Sequence, residues 1–211
     1  MTVDRPERWA VADSSDLGVG AISTFVDDEV VTPSGEHIRR QYLTHPGAVG
    51  ILCWNDHDEI AVIRQYRHPV GMVLVEAPAG LLDGPDESAL AAAQRELAEE
   101  VQLAASEWRV LVDFYSTPGA CQEVLRVFLA RDLTPVDLPS GFVREGEEAF
   151  LELEWVPRSA LLREIRAGRC GSPSLVVGMY ALEAAIATGT LDQLRPGDAP
   201  WPARDRHNEI A

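Results

Sequence analysis

Three glutamates lie within five residues of the stretch RELAEEV. On a helix Glu96 would neighbour both Glu99 and Glu100, so the three carboxylates would share one side. Like charges at these spacings cost roughly a few tenths of a kcal/mol each unless a cation neutralises them. A hard divalent cation such as Mg²⁺ takes oxygen ligands and leaves positions open to a substrate phosphate. The alternative is a solvated acidic face, partly neutralised by Arg95.

The elements around these glutamates follow from composition and periodicity. From Glu87 onward the segment is rich in Ala, Leu and Glu, which predicts a helix. At about 100° per residue, Leu90, Leu97 and Val101 share a stripe on the roughly opposite side, which indicates the face turned to the core. The run GMVLVEAPAG predicts a strand that leads into this segment.

The same segment resembles the Nudix hydrolase signature, in which spaced Gly and Glu residues precede Arg-Glu-apolar-x-Glu-Glu-x-Gly-apolar. The matching residues are Gly80, Glu87, Arg95, Glu96, Leu97, Glu99, Glu100 and Leu103. This sequence departs from the signature by one extra residue between Gly80 and Glu87, which lengthens a loop. It also has Gln102 where the signature has Gly, at the predicted helix end, where Gly would ease a left-handed exit. All signature carboxylates are retained.

The resemblance implies an α/β fold, namely a Nudix-type α/β/α sandwich with mixed β-sheets. Strand-like runs lie on both sides of the signature, and helices are predicted near SALLREIRAG and SLVVGMYALEAAIATG. The runs GAVGILCW and EIAVIRQY are separated by NDHD, which predicts a hairpin. Residues 1–43 are predicted to form a small N-terminal antiparallel β unit, residues 44–194 the Nudix domain, and residues 195–211 a loose C-terminal tail.

Further segments resemble the ADP-ribose pyrophosphatase group of this superfamily. They are VIRQYRHPV, VEAPAGLLD and Pro118, which lies fifteen residues beyond Leu103. The group implies cleavage of ADP-ribose to AMP and ribose 5-phosphate with Mg²⁺ or Mn²⁺. Metal ions that bridge phosphate oxygens neutralise charge and lower the pKa of the attacking water. Two alternatives remain. One is an enzyme that performs the same chemistry on another nucleoside diphosphate sugar. The other is a non-catalytic module that binds ADP-ribose.

The chemistry and the resemblance together assign roles within the signature. The predicted metal ligands are Glu96 and Glu100, then Glu99, and the resemblance adds the backbone carbonyl of Ala79. Arg95 is expected to orient the glutamates. Glu87 is expected to support the helix start, where a carboxylate meets the positive end of the helix dipole.

Other candidates lie outside the signature. The segment VREGEEAFLELEWVP resembles the loop that carries the general base in related enzymes, so Glu147 and Glu148 are the base candidates; the alternative is a merely solvated loop. Arg67 matches a family arginine near the phosphates, Arg40 matches one in the N-terminal unit, and Glu123 resembles an acidic position near the site. Arginine suits phosphate because its fork donates two hydrogen bonds.

Overall charge and composition narrow the partners. The net charge is −16, which disfavours nucleic acid and anionic membranes and leaves a small phosphorylated molecule as the expected ligand. No signal sequence or apolar run long enough for a membrane span is found, so the expected location is cytoplasmic. The three cysteines have no metal-site spacing, which indicates reduced thiols. The N-terminal unit is too small to be stable alone, and its family counterpart packs against a partner subunit, so a homodimer is expected.

Replacing the base by glutamine should separate base catalysis from metal binding. If Glu147 or Glu148 deprotonates the water, its Gln variant should lower kcat by about 10²- to 10⁴-fold with KM much less affected. Higher pH should partly restore kcat, because hydroxide becomes more abundant, whereas added Mg²⁺ should not. Activity measured across pH and Mg²⁺ checks this. If kcat is unchanged in both single variants and in the double variant, another residue is the base.

Overall fold

The computed structural model describes residues 2–82, 87–143, 146 and 151–205. The chain begins with an antiparallel three-stranded sheet in the order β1-β2-β3, formed by Ala10–Val19, Thr24–Val31 and His37–Leu43. The predicted N-terminal β unit is therefore confirmed, with β1 as an additional strand. All ten residues of β1 are exposed, so this strand lacks the alternation of buried and exposed positions by which a strand is recognised from sequence.

Beyond this sheet, the described residues form two further sheets and the α-helices α1 to α3. The five-stranded sheet has the order β11-β8-β9-β4-β7, in which only β4 and β9 are parallel, and the other sheet is antiparallel with the order β10-β5-β6. The strands are β4 Ala48–Cys53, β5 Glu59–Arg67, β6 Met72–Glu76, β7 Ala79–Leu81, β8 Leu103–Tyr115, β9 Val124–Pro135, β10 Glu152–Pro157 and β11 Arg195–Pro196. The helices are α1 Ala89–Val101, α2 Arg158–Arg166 and α3 Pro173–Thr188.

The core lies in two layers on opposite faces of the sheets. In β4, Val49 and Ile51 belong to the cluster beneath α1, while Leu52 belongs to the cluster beneath α2 and α3. Successive side chains of a strand point to opposite faces, so a strand that is apolar throughout is covered on both. This arrangement is the predicted α/β/α sandwich with mixed sheets. On α1, Leu97 and Val101 are buried in the first cluster, as the helical stripe predicts.

The predicted hairpin between GAVGILCW and EIAVIRQY is wrong. β4 pairs with β7 and β9, whereas β5 pairs with β6 and β10, and a single bridge between Trp54 and Ile60 joins the two runs. The run GMVLVEAPAG is likewise divided between the two sheets, because β6 ends at Glu76 and β7 begins at Ala79. The chain therefore crosses from one sheet to the other twice before α1 begins.

The predicted loose tail is wrong for residues 195–205. Residues 195–196 pair with β8, and Trp201 is 6% exposed. Arg126, itself 1% exposed, donates to two backbone carbonyls of this segment and lies 4.8 Å from the centre of the Trp201 ring. Proline and charge made the segment look unstructured, but the partners that hold it come from distant strands. The remainder, 206–211, lies outside the described residues.

None of the described helices is long and apolar enough to cross a membrane. All three cysteines carry free thiols, as predicted, and burial raises the pKa of the Cys53 thiol far above its usual range. A buried, protonated thiol is unreactive, so this residue is a packing element.

Helix α1 begins two residues later than the composition predicted. Ser88 is its N-cap and accepts a hydrogen bond from the backbone N–H of Ala91. Glu87 therefore precedes the helix. At the other end Gln102 adopts the left-handed conformation with φ 55° and ψ 43°. The chain therefore leaves α1 through the left-handed conformation that the signature Gly would favour, although the Cβ of Gln102 disfavours this conformation.

Replacing Gln102 by Gly should stabilise the protein. The variant removes the Cβ strain of the left-handed conformation and should raise the free energy of unfolding by about 0.5–1 kcal/mol, after the greater backbone entropy of Gly in the unfolded chain is subtracted. Denaturant unfolding measures the change. Gln102→Ala is the control, since it removes the side chain and keeps the Cβ; an equal gain in both variants would contradict the backbone explanation.

Candidate active site

One cavity of about 890 Å³ collects most of the predicted site residues. It opens beside α1 and the edge strand β7, and its walls extend to β5, β6 and the start of α3. The sequence-predicted residues that line it are Ala79, Gly80, Arg95, Glu96, Glu99, Glu100, Arg67 and Glu123. These residues come from four separate parts of the chain. The fold therefore brings the predicted site residues together in one cavity.

Gly80 allows the closest contact in this cavity. A Cβ added to Gly80 would lie 1.9 Å from Cδ and 2.0 Å from Oε1 of Glu96. No side chain fits at that separation, so Glu96 occupies the space that any other residue at position 80 would fill. The signature Gly is therefore required by the position of the glutamate sixteen residues later.

Glu100 is held against the same strand. Glu100 is 6% exposed, and its Oε2 accepts a hydrogen bond of 2.9 Å from the backbone N–H of Ala79. A buried carboxylate needs such a partner, since an uncompensated buried charge is costly. The bond fixes the carboxylate beside Ala79, the residue whose carbonyl the resemblance assigns to the metal.

Arg95 joins the glutamates to one another. Its guanidinium donates to Glu87 at 3.1 Å, to Glu96 at 2.7 Å and to Glu99 at 3.2 Å, and also to the backbone carbonyl of Leu81. Burial alone would lower the pKa of Arg95, but its hydrogen bond to Glu87 and the charge and hydrogen bond of Glu96 outweigh burial and raise it. The arginine therefore remains cationic and contacts the carboxylates that it is predicted to orient.

Glu87 acts through this arginine more than through the helix dipole. Its carboxylate accepts from both Nε and Nη2 of Arg95, and the cap of α1 is supplied by Ser88 instead. The expectation that Glu87 supports the helix start therefore needs correction. It holds Arg95, and through Arg95 it supports the position of Glu96.

The donors at this site fit a hard divalent cation. Glu96, Glu99 and Glu100 all face the cavity and offer oxygen ligands alone, which is the set that Mg²⁺ prefers. Across residues 2–82, 87–143, 146 and 151–205, no three acidic, imidazole or thiol groups converge as a formed metal site. Glu96 and Glu99 are turned to Arg95 and Glu100 to Ala79, so a cation would draw oxygens away from these partners.

Arg67 lines the cavity, and its guanidinium is paired with the carboxylate of Glu76. Its Nη2 lies 2.7 Å from Oε2 of Glu76, which is only 4% exposed, and its Nε donates to the same carboxylate. Glu76 also lines the cavity, although the sequence analysis gave it no role. A signal was present, because this acidic residue ends an otherwise apolar strand.

One of the predicted residues that the structure describes does not line this cavity, and two further ones are not described. Arg40 lies on β3, where it donates to the backbone carbonyl of Arg39, and it does not line the cavity of its own chain. Glu147 and Glu148 lie outside the described residues, so the assignment of the base to them stays a prediction.

Sequence reasoning did not identify His45 as a site residue. It lines the cavity, and its Nδ1 accepts from the N–H of Gly47, which leaves the ring proton on Nε2, 3.5 Å from Oε1 of Glu123. Burial lowers the pKa of His45 more than Glu123 raises it, which favours the neutral ring at pH 7. Glu123 also accepts from the Ser116 hydroxyl. No sequence spacing links these three residues, so only the fold could have found them.

Other missed residues complete the walls. They are Ile22, Ala48, Gln65, Leu81, Leu125, Phe142, Ser172, Pro173 and Ser174. Phe142 supplies the one phenyl or indole ring among the described residues that line the cavity. None of the five tryptophans lines it.

Comparison with known proteins identifies the fold and the family. The NUDIX domain model matches residues 44–170. The chain belongs to the Nudix family. An ADP-ribose pyrophosphatase of Mycobacterium tuberculosis is 39% identical over 188 residues, which cover 89% of this chain and 88% of that protein. An ADP-ribose pyrophosphatase of Bacillus subtilis is 36% identical over 131 residues, which cover 62% and 70% respectively.

A solved structure agrees with this assignment at the level of the fold. The crystal structure of an ADP compounds hydrolase matches with a TM-score of 0.70, covers 90% of this chain and 100% of its own, and is 21% identical. This Nudix chain therefore keeps the fold across a wide divergence in sequence.

Gly80→Ala should impair catalysis more than folding. The added methyl displaces only the end of the flexible Glu96 side chain, so kcat should fall about 10²-fold, comparable to loss of an essential electrostatic group. Gly35→Ala should do the opposite, because Gly35 has φ 84° in the turn between β2 and β3 and does not line the cavity. Kinetics and denaturant unfolding of both variants check this; full activity in Gly80→Ala would refute the role of the contact.

Proposed function

We propose that this protein hydrolyses the pyrophosphate bond of ADP-ribose to AMP and ribose 5-phosphate with a divalent metal ion. The observation that carries the proposal is the gathering of the signature carboxylates and Arg67 around one cavity. Support for this substrate comes from the ADP-ribose pyrophosphatase of M. tuberculosis, which matches along nearly the whole chain. A Nudix hydrolase of another nucleoside diphosphate sugar remains the second candidate, since specificity depends on pocket contacts.

The carboxylates provide the metal site in this proposal. The cation, Mg²⁺ or Mn²⁺, would be held by Glu96, Glu99, Glu100 and the carbonyl of Ala79. When bound, the cation neutralises phosphate charge and lowers the pKa of a coordinated water. Arg95 keeps the glutamates oriented before substrate arrives, which reduces the reorganisation needed at the moment of reaction.

Arg67 is the proposed phosphate ligand from the protein. The buried Glu76 fixes one side of its guanidinium and so sets its direction on the cavity wall. A fixed planar fork suits a phosphate group, because two parallel hydrogen bonds give both energy and orientation. Glu123, beside His45 on another wall, is proposed to bind a polar group of the substrate.

The remaining step is removal of a proton from the attacking water. Glu147 or Glu148 is the proposed base, in a loop that completes the site when substrate binds. Placement of the base outside α1 would leave the helix glutamates to the metal alone. Two separate groups would then perform the two tasks.

The proposed active form is a homodimer in which Arg40 reaches the neighbouring site. β1 exposes apolar side chains, among them Val11, Leu17 and Val19, which are 47%, 50% and 76% exposed. Apolar side chains exposed together on one strand mark an interaction surface, which supports a partner against it. Ile22, in the turn after β1, already lines the cavity, so this unit and the site are adjacent.

A substrate panel tests the proposed function. ADP-ribose and other nucleoside diphosphate sugars are incubated with Mg²⁺, and release of the nucleoside monophosphate is measured. We expect ADP-ribose to give the highest kcat/KM, and Glu100→Gln to lower turnover by about 10²-fold or more with the fold intact. Binding of ADP-ribose without release of AMP would instead identify a non-catalytic module. Unchanged turnover and metal dependence in Glu100→Gln would remove that residue from the site.

Sedimentation tests the dimer. The wild-type protein should sediment as a dimer at micromolar concentration, while charge introduced on the apolar surface by Leu17→Glu and Val19→Glu should give monomers with reduced activity. Arg40→Ala should retain the dimer and raise KM. A wild-type monomer with full activity at that concentration would rule the proposal out.

A further inference from the structure

The carboxylate of Glu123 in the cavity wall has a hydroxyl donor on one side. The antiparallel pairing of β8 with β9 stops at Tyr115 and Val124. Ser116 and Glu123 come next on the two segments, so the hairpin brings them opposite each other. The Ser116 hydroxyl donates to Oε2 of Glu123. One oxygen of the carboxylate is therefore fixed by the ends of two strands.

His45 meets the other oxygen because of a second pairing. Leu43 forms a parallel bridge with Cys121, and the backbone N–H of Gln122 donates to the Leu43 carbonyl at 2.9 Å. Alternate residues of extended segments share a face, so two positions further along both segments the register brings His45 beside Glu123. Nε2 of His45 lies 3.5 Å from Oε1 of Glu123.

The backbone fixes the orientation of the His45 ring. Its Nδ1 accepts from the N–H of Gly47 at 3.1 Å, which leaves the ring proton on Nε2, the atom nearest to Glu123. Gly47 has φ 89°, a conformation that favours glycine, and the carbonyl of Pro46 accepts from Arg204. The His45 side chain is only 15% exposed. The ring is therefore held in place by the protein alone.

Both ring nitrogens of His45 are engaged within the protein. Nδ1 accepts from Gly47, and Nε2 carries the proton that is directed at Glu123. The ring in this state has no nitrogen left to accept a proton from an attacking water. Any contribution of His45 to the reaction therefore passes through Glu123.

Glu123 keeps capacity for a ligand although it has these two neighbours. An ionised carboxylate has about four lone-pair sites and no proton to donate. The Glu123 side chain is 26% exposed and lines the cavity. It can therefore accept from a further donor, and the donors that the sugar of a nucleoside diphosphate sugar offers are hydroxyl groups. The direction of the open lone pairs is set by Ser116 and His45.

We propose that His45 is a positioning residue that, together with the Ser116 hydroxyl, holds the Glu123 carboxylate for a hydroxyl group of the substrate. This inference rests on the proposed function, in which Glu123 binds a polar group of the substrate. It adds the two residues that orient the carboxylate and the kind of donor that the carboxylate takes. An acceptor that is already oriented binds more tightly, because less ordering is needed when the ligand arrives.

His45→Asn separates this role from the backbone turn. An asparagine side chain accepts from the N–H two residues later, so it can keep the bond to Gly47, but it is too short to reach Glu123. The thermal midpoint should therefore be unchanged. Affinity for ADP-ribose, measured by calorimetry on the metal-free protein in EDTA, should fall about 3- to 10-fold, and Ser116→Ala should have a similar effect. In the Mg²⁺-loaded enzyme, KM should rise by the same factor with kcat nearly unchanged.

A double-mutant cycle shows whether His45 acts through Glu123. In a Glu123→Ala background no carboxylate is left to position, so adding His45→Asn should cause no further loss of affinity. An undiminished further loss would overturn the inference. His57→Asn is the matched control, because His57 is exposed in the turn between β4 and β5 and does not line the cavity. It should bind ADP-ribose as the wild type does, and an equal loss in this variant would also contradict the role of His45.

Crystal structures of the wild type and His45→Asn provide a test that needs no ligand. The Glu123 carboxylate should change its orientation in the variant, and an unchanged carboxylate would refute the positioning role. A wild-type protein that neither binds ADP-ribose nor releases AMP would refute the proposed function, while the two crystal structures would still decide whether His45 positions Glu123.

Discussion

The contact of α1 with the edge strand β7 is the constraint on which the site depends. Gly80 admits Glu96, the Ala79 N–H binds Glu100, and the Leu81 carbonyl binds Arg95. Three successive residues of one short strand thus fix three functional side chains of the helix. Precision in such a site comes from supporting contacts, because a carboxylate must be held near its productive position before the ligand arrives.

This packing also explains why the acidic cluster is tolerated. Neighbouring carboxylates repel one another, and partial burial strengthens the repulsion because screening by water is reduced. Arg95 offsets the cost by bonding to Glu87, Glu96 and Glu99 simultaneously. The carboxylates thus have a cationic partner within the protein and still present oxygen atoms to the cavity, where a divalent cation would bind.

Residues distant in sequence support the cavity wall that contains His45. Arg204, near the C-terminus, donates to the carbonyl of Pro46, beside His45 in the cavity wall. Arg126 fixes the same terminal segment through a carboxylate pair with Asp113 and two backbone carbonyls. Because Arg126 is almost fully buried, all of these bonds must form together. The C-terminal segment is therefore part of the framework of the site.

The sequence by itself determined the catalytic helix and its carboxylates, and its resemblance to the Nudix signature implied the layered fold. The helix and its carboxylates depend on local spacing, since residues three or four apart share a helix face. The sequence pattern wrongly predicted that β4 pairs with β5 and that residues 195–205 form a loose tail. Strand partners are chosen by the burial of whole sheet faces. Only the tertiary structure placed His45, Gln65 and Ser172 in the cavity. Their proximity is set by the packing of sheets and helices far apart in the chain, which leaves no periodic signal in sequence.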